Sequence, residues 1–153
     1  MTALLEYLLV IALDEQRYAL RLAAVERVAR IVEITPLPAA PHAVRGIVNA
    51  QGRILPVYDL RRRFGLPERE IALTDQLIIA HTAHRPVALV ADAANDIVTC
   101  AESDLIAAEC IHPGVEYMEG VVKLRDGLLL IHDLNKFLSL EEAQILDQAL
   151  ETS

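Results

Sequence analysis

Short apolar runs separated by polar turns are the main pattern along the chain. The first run, YLLVIAL at residues 7–13, is followed by the polar turn DEQ, after which RYALRL begins at Arg17. The next segment, ERVARIVEITPL, partly alternates polar and apolar residues and leads into Pro36 and Pro38. Several short runs at such spacing are typical of strands in small barrels. The pattern therefore predicts a mainly β protein.

A hairpin and a single helical turn are predicted in the middle of the chain. The sequence IVNAQGRILPVYDL has apolar residues on both sides of a turn that contains Asn49 and Gly52, which favours a hairpin. Just before it, APHAVRG has Pro41 near its start and Gly46 at its end. Proline at the start and glycine at the end predict one helical turn there.

Two further helices are predicted from their capping residues. Asp59 precedes LRRRF and Gly65 follows it, so Asp59 would cap a short helix that Gly65 ends. Ser139 precedes the final helix, and Glu142 lies at the position that completes a capping box. The predicted apolar stripe of this final helix consists of Leu140, Ala143, Leu146, Ala149 and Leu150.

The same pattern occurs twice in the chain. RGIVNAQGRILPVYDL and EGVVKLRDGLLLIHDL align without a gap, so that Gly46 corresponds to Gly120. An earlier block that begins at Leu8 aligns in the same way with one that begins at Leu77. Two blocks in the same order predict two copies of one unit of about 65–70 residues, which together span about residues 8–138.

The repeat predicts how the domain is organised. We expect residues 1–153 to form a single domain, because a chain of this length favours one domain, which here would have two small halves. The first half would cover about residues 6–70, the second about residues 71–138, and the final helix residues 139–150.

The charge of the chain excludes two classes of partner. The formal net charge is −8, whereas nucleic acids and anionic membranes attract positively charged proteins. The apolar run at residues 7–13 is too short to cross a membrane and follows Glu6 rather than basic residues. We therefore expect a cytoplasmic protein that binds no nucleic acid and does not insert into a membrane.

Residues that could carry out chemistry are few and poorly arranged. His81 and His84 would point to opposite sides of a strand or hairpin, which suits metal binding poorly. Cys100 and Cys110 form neither a zinc motif nor a redox motif. We expect no metal, no cofactor and no enzymatic activity. An alternative is a barrel that binds a small molecule or a Cys–His enzyme, which an enclosed pocket with polar groups converging on Cys100 or His84 would favour.

The chain resembles the CheW-like family, the coupling proteins of bacterial chemosensory arrays. The resemblance spans about residues 6–150 and is carried by RYALRLAAVERV, ITPLPAAPHAVRGIVN, GRILPVYDLRRRFG and EGVVKLRDGLLLIHDLNKFL. The family pattern, an N-x-R-G turn followed by P-V-x-D-L, is matched here at Asn49, Gly52, Pro56, Val57, Asp59 and Leu60.

This resemblance implies both a fold and a function. The fold would be two tandem SH3-like five-stranded β-barrel subdomains with short helices and a C-terminal α-helix. The function would be that of a non-catalytic adaptor, which couples the cytoplasmic tips of methyl-accepting chemoreceptors to a CheA-like histidine kinase.

The resemblance also implies two separate binding surfaces. A groove between the barrels would take a receptor helical hairpin, and an apolar edge around Ile34 and Leu37 would face the kinase. Ordinary packing inside a barrel explains most of the apolar groove residues equally well. The groove would involve Val25, Arg27, Gln51, Leu77, Ala88 and Ile97.

Two residues depart from the family pattern. Gln51 occupies the place of the arginine in the family's turn, and Arg27 occupies a place where the family often has an acidic residue, with Glu26 one position earlier. A shift of one position along a strand turns a side chain to the opposite face. The two changes indicate either drift within the family or a different receptor, in a pathway such as pilus motility or surface sensing rather than swimming chemotaxis.

Overall fold

The computed structural model of the protein describes residues 5–107, 118–124 and 127–152, and this part of the chain is mainly β. The expected fold class is confirmed. The strands are β1 (Leu5–Leu13), β2 (Gln16–Arg21), β3 (Val25–Arg30), β4 (Val44–Ala50), β5 (Arg53–Tyr58), β6 (Gln76–His81), β7 (Pro86–Ala91), β8 (Ala93–Ala101), β9 (Leu105–Ala107), β10 (Met118–Leu124) and β11 (Gly127–His132). The helices are α1 (Leu60–Phe64) and α2 (Leu140–Thr152), with 3-10 turns at Leu22–Ala24, Glu102–Asp104 and Leu134–Lys136.

The strands form two sheets, and each sheet takes strands from both halves of the chain. The five-stranded sheet has the order β3-β6-β7-β5-β4, and the six-stranded sheet has the order β8-β1-β2-β11-β10-β9. Each half begins with a hairpin, β1–β2 or β6–β7, and this hairpin pairs with strands of the other half. We call this arrangement the exchange of hairpins. The division of the chain near residue 70 stays a prediction about domains, but the sheets themselves are not divided there.

The pairing of the strands follows the sequence repeat residue by residue. In the five-stranded sheet, the parallel pair β5–β7 sets Val57 opposite Ala88. In the six-stranded sheet, the parallel pair β11–β2 sets Ile131 opposite Ala19. The repeat aligns Val57 with Ile131 and Ala88 with Ala19, so the two sheets are copies of one arrangement.

The continuous apolar run of β1 is explained by burial on both faces. Leu8 and Val10 belong to a core formed by residues of the six-stranded sheet alone. Leu9 and Ile11, on the opposite face of the strand, belong to a central core between the two sheets. Because side chains alternate across a strand, a strand between two cores needs apolar residues at every position.

The predicted caps of α1 and of its counterpart in the second half are present. Asp59 accepts a hydrogen bond of 3.0 Å from the backbone N–H of Arg62, and Gly65 ends the helix in the left-handed conformation with φ 69°. Asp133, the repeat equivalent of Asp59, accepts a hydrogen bond of 2.9 Å from the backbone N–H of Asn135. Each copy of the unit therefore ends its last strand with the same capping aspartate.

The C-terminal helix begins with the predicted capping box. The backbone N–H of Ser139 donates to Glu142 at 2.9 Å, and the backbone N–H of Glu142 donates to the Ser139 hydroxyl at 3.1 Å. Leu146 and Ala149 are buried in the central core, as expected. Leu140 was expected in the same stripe but is exposed, because it lies in the first turn, before the helix reaches the core.

The helical turn expected in APHAVRG is absent. One hydrogen bond of 2.9 Å from the N–H of Val44 to the carbonyl oxygen of Pro41 closes a simple turn, and β4 starts at once. Gly46 lies inside β4 and ends no helix. A Cβ at this position would lie 2.3 Å from the carbonyl oxygen of Thr35, which pairs with Ile47 in an isolated bridge. Glycine is therefore needed for close backbone approach.

A network of five charged residues joins the β1–β2 hairpin of the six-stranded sheet to the five-stranded sheet. Arg61, in α1, is buried and donates to both carboxylate oxygens of Asp14 at 2.8 and 2.9 Å. It also donates to Asp92, which follows β7, at 3.0 Å. Arg69 bridges Asp92 and Asp75. Asp14 lies in the β1–β2 turn, so the network holds this hairpin against α1 and the end of β7.

The arginines keep two aspartates of the network ionised. The hydrogen bond from Arg61 lowers the pKa of Asp14 below its ordinary value of 3.8. Burial acts to raise the pKa of Asp92, but hydrogen bonds from the backbone of Asp14, from Arg61 and from Arg69 outweigh it and lower this pKa. A carboxyl group with a lowered folded-state pKa stabilises the fold above its unfolded pKa and loses that effect as the pH falls through the folded pKa.

Replacement of Arg61 tests the network. Arg61→Gln is expected to lower the free energy of unfolding by roughly 1–3 kcal/mol at pH 7. This is less than removal of a fully buried partner costs, because Asp14 remains half-exposed to water. As the pH falls below about 4, the difference between wild type and variant should shrink, because the carboxylates become protonated. Urea unfolding followed by circular dichroism at pH 7, 5, 4 and 3 measures both effects.

Arg30→Gln is the control for this experiment, because Arg30 is exposed at the end of β3. It should unfold like the wild type at every pH. A constant gap between Arg61→Gln and wild type from pH 7 to pH 3 would show that the network does not stabilise the fold through charge.

Candidate protein-docking surfaces

An apolar strip lies on the six-stranded sheet where the central core ends. Leu9 belongs to the central core and is directly opposite Ile97 on the neighbouring strand β8, so both share one face. Tyr7 and Leu5 continue this face along β1. Leu5, Tyr7 and Ile97 are all at least half-exposed. We call these three residues the Tyr7 strip.

The structure distributes the predicted groove residues over two faces. Leu77 and Ala88 are buried in the core inside the five-stranded sheet, and Arg27 lies on the same face of the edge strand β3. Val25 packs against the central core, and Ile97 is exposed on the other sheet. The side chains of Leu77 and Ala88 contact the core rather than solvent, so a binding role for this group rests on its exposed members.

Gln51 lies in a tight turn with an unusual backbone. Ala50 pairs with Arg53, so the hairpin loop contains only Gln51 and Gly52, and both have positive φ, 53° and 84°. These angles fit a type I′ turn. The side chain of Asn49 accepts a hydrogen bond of 2.9 Å from the N–H of Gly52. The side chain of Gln51 is exposed, as predicted for a turn residue.

A cluster of basic groups surrounds Glu26 beside this hairpin. Arg53 donates a hydrogen bond to Glu26, and His81 Nε2 lies 3.7 Å from the other carboxylate oxygen. Arg53 is the main cause of a lowered pKa at Glu26, with smaller contributions from His81 and Arg27. Arg53 was not among the predicted groove residues, although it lies only two residues after Gln51 in the same hairpin.

The expected apolar edge of the first half is present around Ile34 but does not include the side chain of Leu37. Ile34 lines a shallow depression together with Val32 and Leu73, and Leu73 is 93% exposed. Leu37 is buried in the central core. We call Val32, Ile34 and Leu73 the Ile34 edge. Leu73 was missed because it lies in a connection that shows no periodic pattern.

The structure does not bring Cys100 and His84 together. Cys100 is buried in the core of the six-stranded sheet, and this burial raises the pKa of its thiol. His84 lies in the β6–β7 turn of the other sheet. Cys110, the other cysteine considered, lies outside the described residues. An activated cysteine needs an environment that lowers its pKa, so the geometry of Cys100 does not favour the Cys–His alternative.

The described part of the chain has neither a candidate metal site nor a candidate membrane-spanning helix. Within residues 5–107, 118–124 and 127–152, no group of His, Cys, Asp and Glu side chains has an arrangement that could hold a metal ion. No helix in these segments is both long and apolar enough to cross a membrane.

Comparison with protein families identifies the chain. The family model described as "CheW-like domain" matches residues 7–142. The chain belongs to the CheW-like family. The resemblance seen in the sequence is therefore confirmed, and it covers most of the chain.

Individual CheW proteins are similar over nearly their whole length. The chemotaxis protein CheW of Bacillus subtilis is 32% identical over 148 residues, which cover 94% of this chain and 95% of that protein. The chemotaxis protein CheW of Rhizobium meliloti is 27% identical over 139 residues, which cover 90% of each chain.

A solved structure supports the same assignment. The crystal structure of the scaffolding protein TtCheW from Thermoanaerobacter tengcongensis matches with a TM-score of 0.82 and 26% sequence identity. The match covers 91% of this chain and 96% of that chain. Membership of this family of scaffold proteins confirms the expectations of a CheW-like fold and of a protein that is not an enzyme.

Gly46 is expected to control the position of the Ile34 edge. In Gly46→Ala, the new methyl group would collide with the Thr35 carbonyl oxygen and lie 3.0 Å from the side chain of Ile34. The bridge at Thr35 must then move, which should cost about 1–3 kcal/mol of stability. Urea unfolding measures the cost, and amide exchange of Ile47 reports whether the bridge has opened.

Gly65→Asn is the matched control for this substitution. No atom lies within 4 Å of a Cβ at Gly65, and asparagine tolerates its left-handed backbone. This variant should lose well under 1 kcal/mol. If Gly46→Ala is as stable as the wild type and keeps Ile47 protected, the close approach does not constrain the edge.

Proposed function

We propose that this CheW-like protein is a non-catalytic adaptor in the cytoplasm, which couples the tips of methyl-accepting chemoreceptors to a CheA-like histidine kinase. The observation that carries the proposal is the presence of two separate exposed apolar surfaces: the Tyr7 strip on the six-stranded sheet, and the Ile34 edge in the connections that precede β4 and β6 of the five-stranded sheet. Exposed apolar patches of this kind mark sites of protein association, and an adaptor needs two of them.

The Tyr7 strip is the better candidate for the receptor. Its residues lie on one face of two adjacent strands, and a row of apolar side chains on a sheet can take the apolar stripe of a helix. Val25, on β3, is partly buried against the central core and would lie at the margin of this surface. Gln51, Arg27 and the neighbouring Arg53 would then supply polar contacts from the five-stranded sheet.

The Ile34 edge is the better candidate for the kinase. Ile34 is partly buried, Val32 is exposed and Leu73 is almost fully exposed, and the three side chains line one depression. The kinase regulatory domain shares the CheW-like fold, as the family resemblance implies, and could offer an equivalent edge. Leu37, which is buried in the central core, would contribute by fixing the position of the β3–β4 connection that carries Ile34.

An aspartate in the Ile34 edge tests the kinase surface. Ile34→Asp places a charge in a contact that loses water on binding, and it should weaken kinase binding by about 2–4 kcal/mol. Isothermal titration with the regulatory domain of the cognate kinase measures the change. Leu140→Asp is the control, because Leu140 is exposed on α2, away from the edge. Equal affinity of Ile34→Asp and wild type, with an unchanged melting temperature, would place the kinase elsewhere.

Restoring arginine in the turn tests the receptor surface. Gln51→Arg keeps the same backbone strain, so stability should change by less than about 0.5 kcal/mol. Affinity for the native receptor tip should change by roughly 0.5–2 kcal/mol if a receptor carboxylate lies within reach. Binding becomes tighter if the receptor keeps that carboxylate and weaker if it has adapted to glutamine.

The salt dependence of binding separates these outcomes from drift. A new ion pair should weaken between 50 mM and 500 mM salt, roughly as screening predicts. Gln16→Arg adds the same charge to the β1–β2 hairpin, where Gln16 is exposed, and it should leave receptor binding unchanged. If Gln51→Arg binds like the wild type at every salt concentration, the substitution reflects drift alone.

A further inference from the structure

A cleft separates the β6–β7 turn from the C-terminal helix. Thr82, His84 and Arg85 form one wall, and Gln144 and Asp147 of α2 form the other. The floor consists of Tyr58, Leu134, Leu138 and Leu146, and the cavity volume is about 460 Å³. This volume is typical of sites for small molecules, about 300–1,000 Å³.

Tyr58 lines this cleft. Tyr58 is only 4% exposed, and its ring stacks on Phe137 with centroids 4.3 Å apart. No residue in the described part of the chain makes a hydrogen bond to its hydroxyl group. Burial raises the pKa of Tyr58 to about 12, although the charge of Arg85 opposes this rise, so the hydroxyl stays protonated at neutral pH and can donate a hydrogen bond.

The polar groups of the cleft are mainly donors. Arg85 donates through one nitrogen to a single carboxylate oxygen of Asp147, which leaves further N–H groups of its five-donor fork. The side-chain oxygen of Asn135 is already used by the N–H of Ala83 at 2.6 Å, so its amide NH₂ remains as a donor. Among the described residues that line the cleft, Asp147 is the single acidic one, and its side chain is half-exposed.

We propose that this cleft binds a small amphipathic carboxylate. The carboxylate group would accept hydrogen bonds from the Tyr58 hydroxyl and the Arg85 guanidinium, and the apolar part would pack on Leu134, Leu138 and Leu146. Arginine pairs well with carboxylates through two parallel hydrogen bonds. An apolar floor with a few convergent donors is the usual form of a small-molecule site. The site is separate from the Tyr7 strip and the Ile34 edge, so it does not depend on the proposed adaptor function.

Hexanoate serves as the probe, with hexan-1-ol and hexylamine as matched controls. Titration of the protein with hexanoate, followed by ¹H–¹⁵N NMR, should show saturable shifts at the amides of Thr82–Arg85 and of α2. Neither the alcohol nor the amine should give saturable shifts at the same concentrations. Tyr58→Phe keeps the ring stack and removes only the hydroxyl, so it should weaken hexanoate binding about threefold to tenfold.

Two variants of the ion pair separate binding from structure. Arg85→Gln and Asp147→Asn both break the same ion pair, so a purely structural role would give them the same effect. A carboxylate site predicts opposite effects: Arg85→Gln should lose at least tenfold in affinity, because the charge-assisted hydrogen bonds are lost, whereas Asp147→Asn should bind hexanoate more tightly. Equal behaviour of the two variants, saturable binding of hexan-1-ol, or no saturable binding of hexanoate to the wild type would each overturn the proposal.

Discussion

The ion pairs of Arg61 are the contact on which the arrangement of the two sheets depends. One buried guanidinium contacts Asp14 from the β1–β2 turn and Asp92 from the end of β7, and these residues come from different sheets. Apolar packing alone is not directional, so it does not fix how one sheet is rotated against the other. A planar group with hydrogen bonds of defined direction supplies that constraint.

The two crossed aromatic stacks complete this junction. Tyr58, at the end of β5, stacks on Phe137, which follows β11. His132, at the end of β11, stacks on Phe64 in α1 with centroids 4.2 Å apart. The repeat aligns Tyr58 with His132. In each half of the chain, the aromatic residue at the end of the last strand therefore stacks on a residue in or next to the helical turn of the other half. The surfaces proposed for the two partners are therefore held in a fixed relation through one shared core.

Local features were predictable from the sequence, whereas the partners of each strand were not. Asp59 and Ser139 act on backbone groups within a few residues, so their spacing was sufficient. The repeat showed which strands are equivalent. It did not show whether an opening hairpin pairs with its own half or with the other half, because both arrangements give the same hydrophobic pattern along the hairpin. Gly46 was misread because glycine at a helix end and glycine under a crossing backbone look alike in sequence. In the apolar run of β1, at residues 7–13, nothing local indicates that Tyr7 is exposed and Leu9 buried, because that depends on where the central core ends.

The exchange of hairpins has a consequence for how the chain folds during synthesis. The β1–β2 hairpin leaves the ribosome long before its parallel partner β11, which pairs with it through Leu130 and Tyr18. A contact between such distant residues requires a large loop to close, and many contacts of this type slow folding. The β1–β2 hairpin therefore keeps an apolar face uncovered until β11 emerges, and during this time the nascent protein is open to aggregation or chaperone binding.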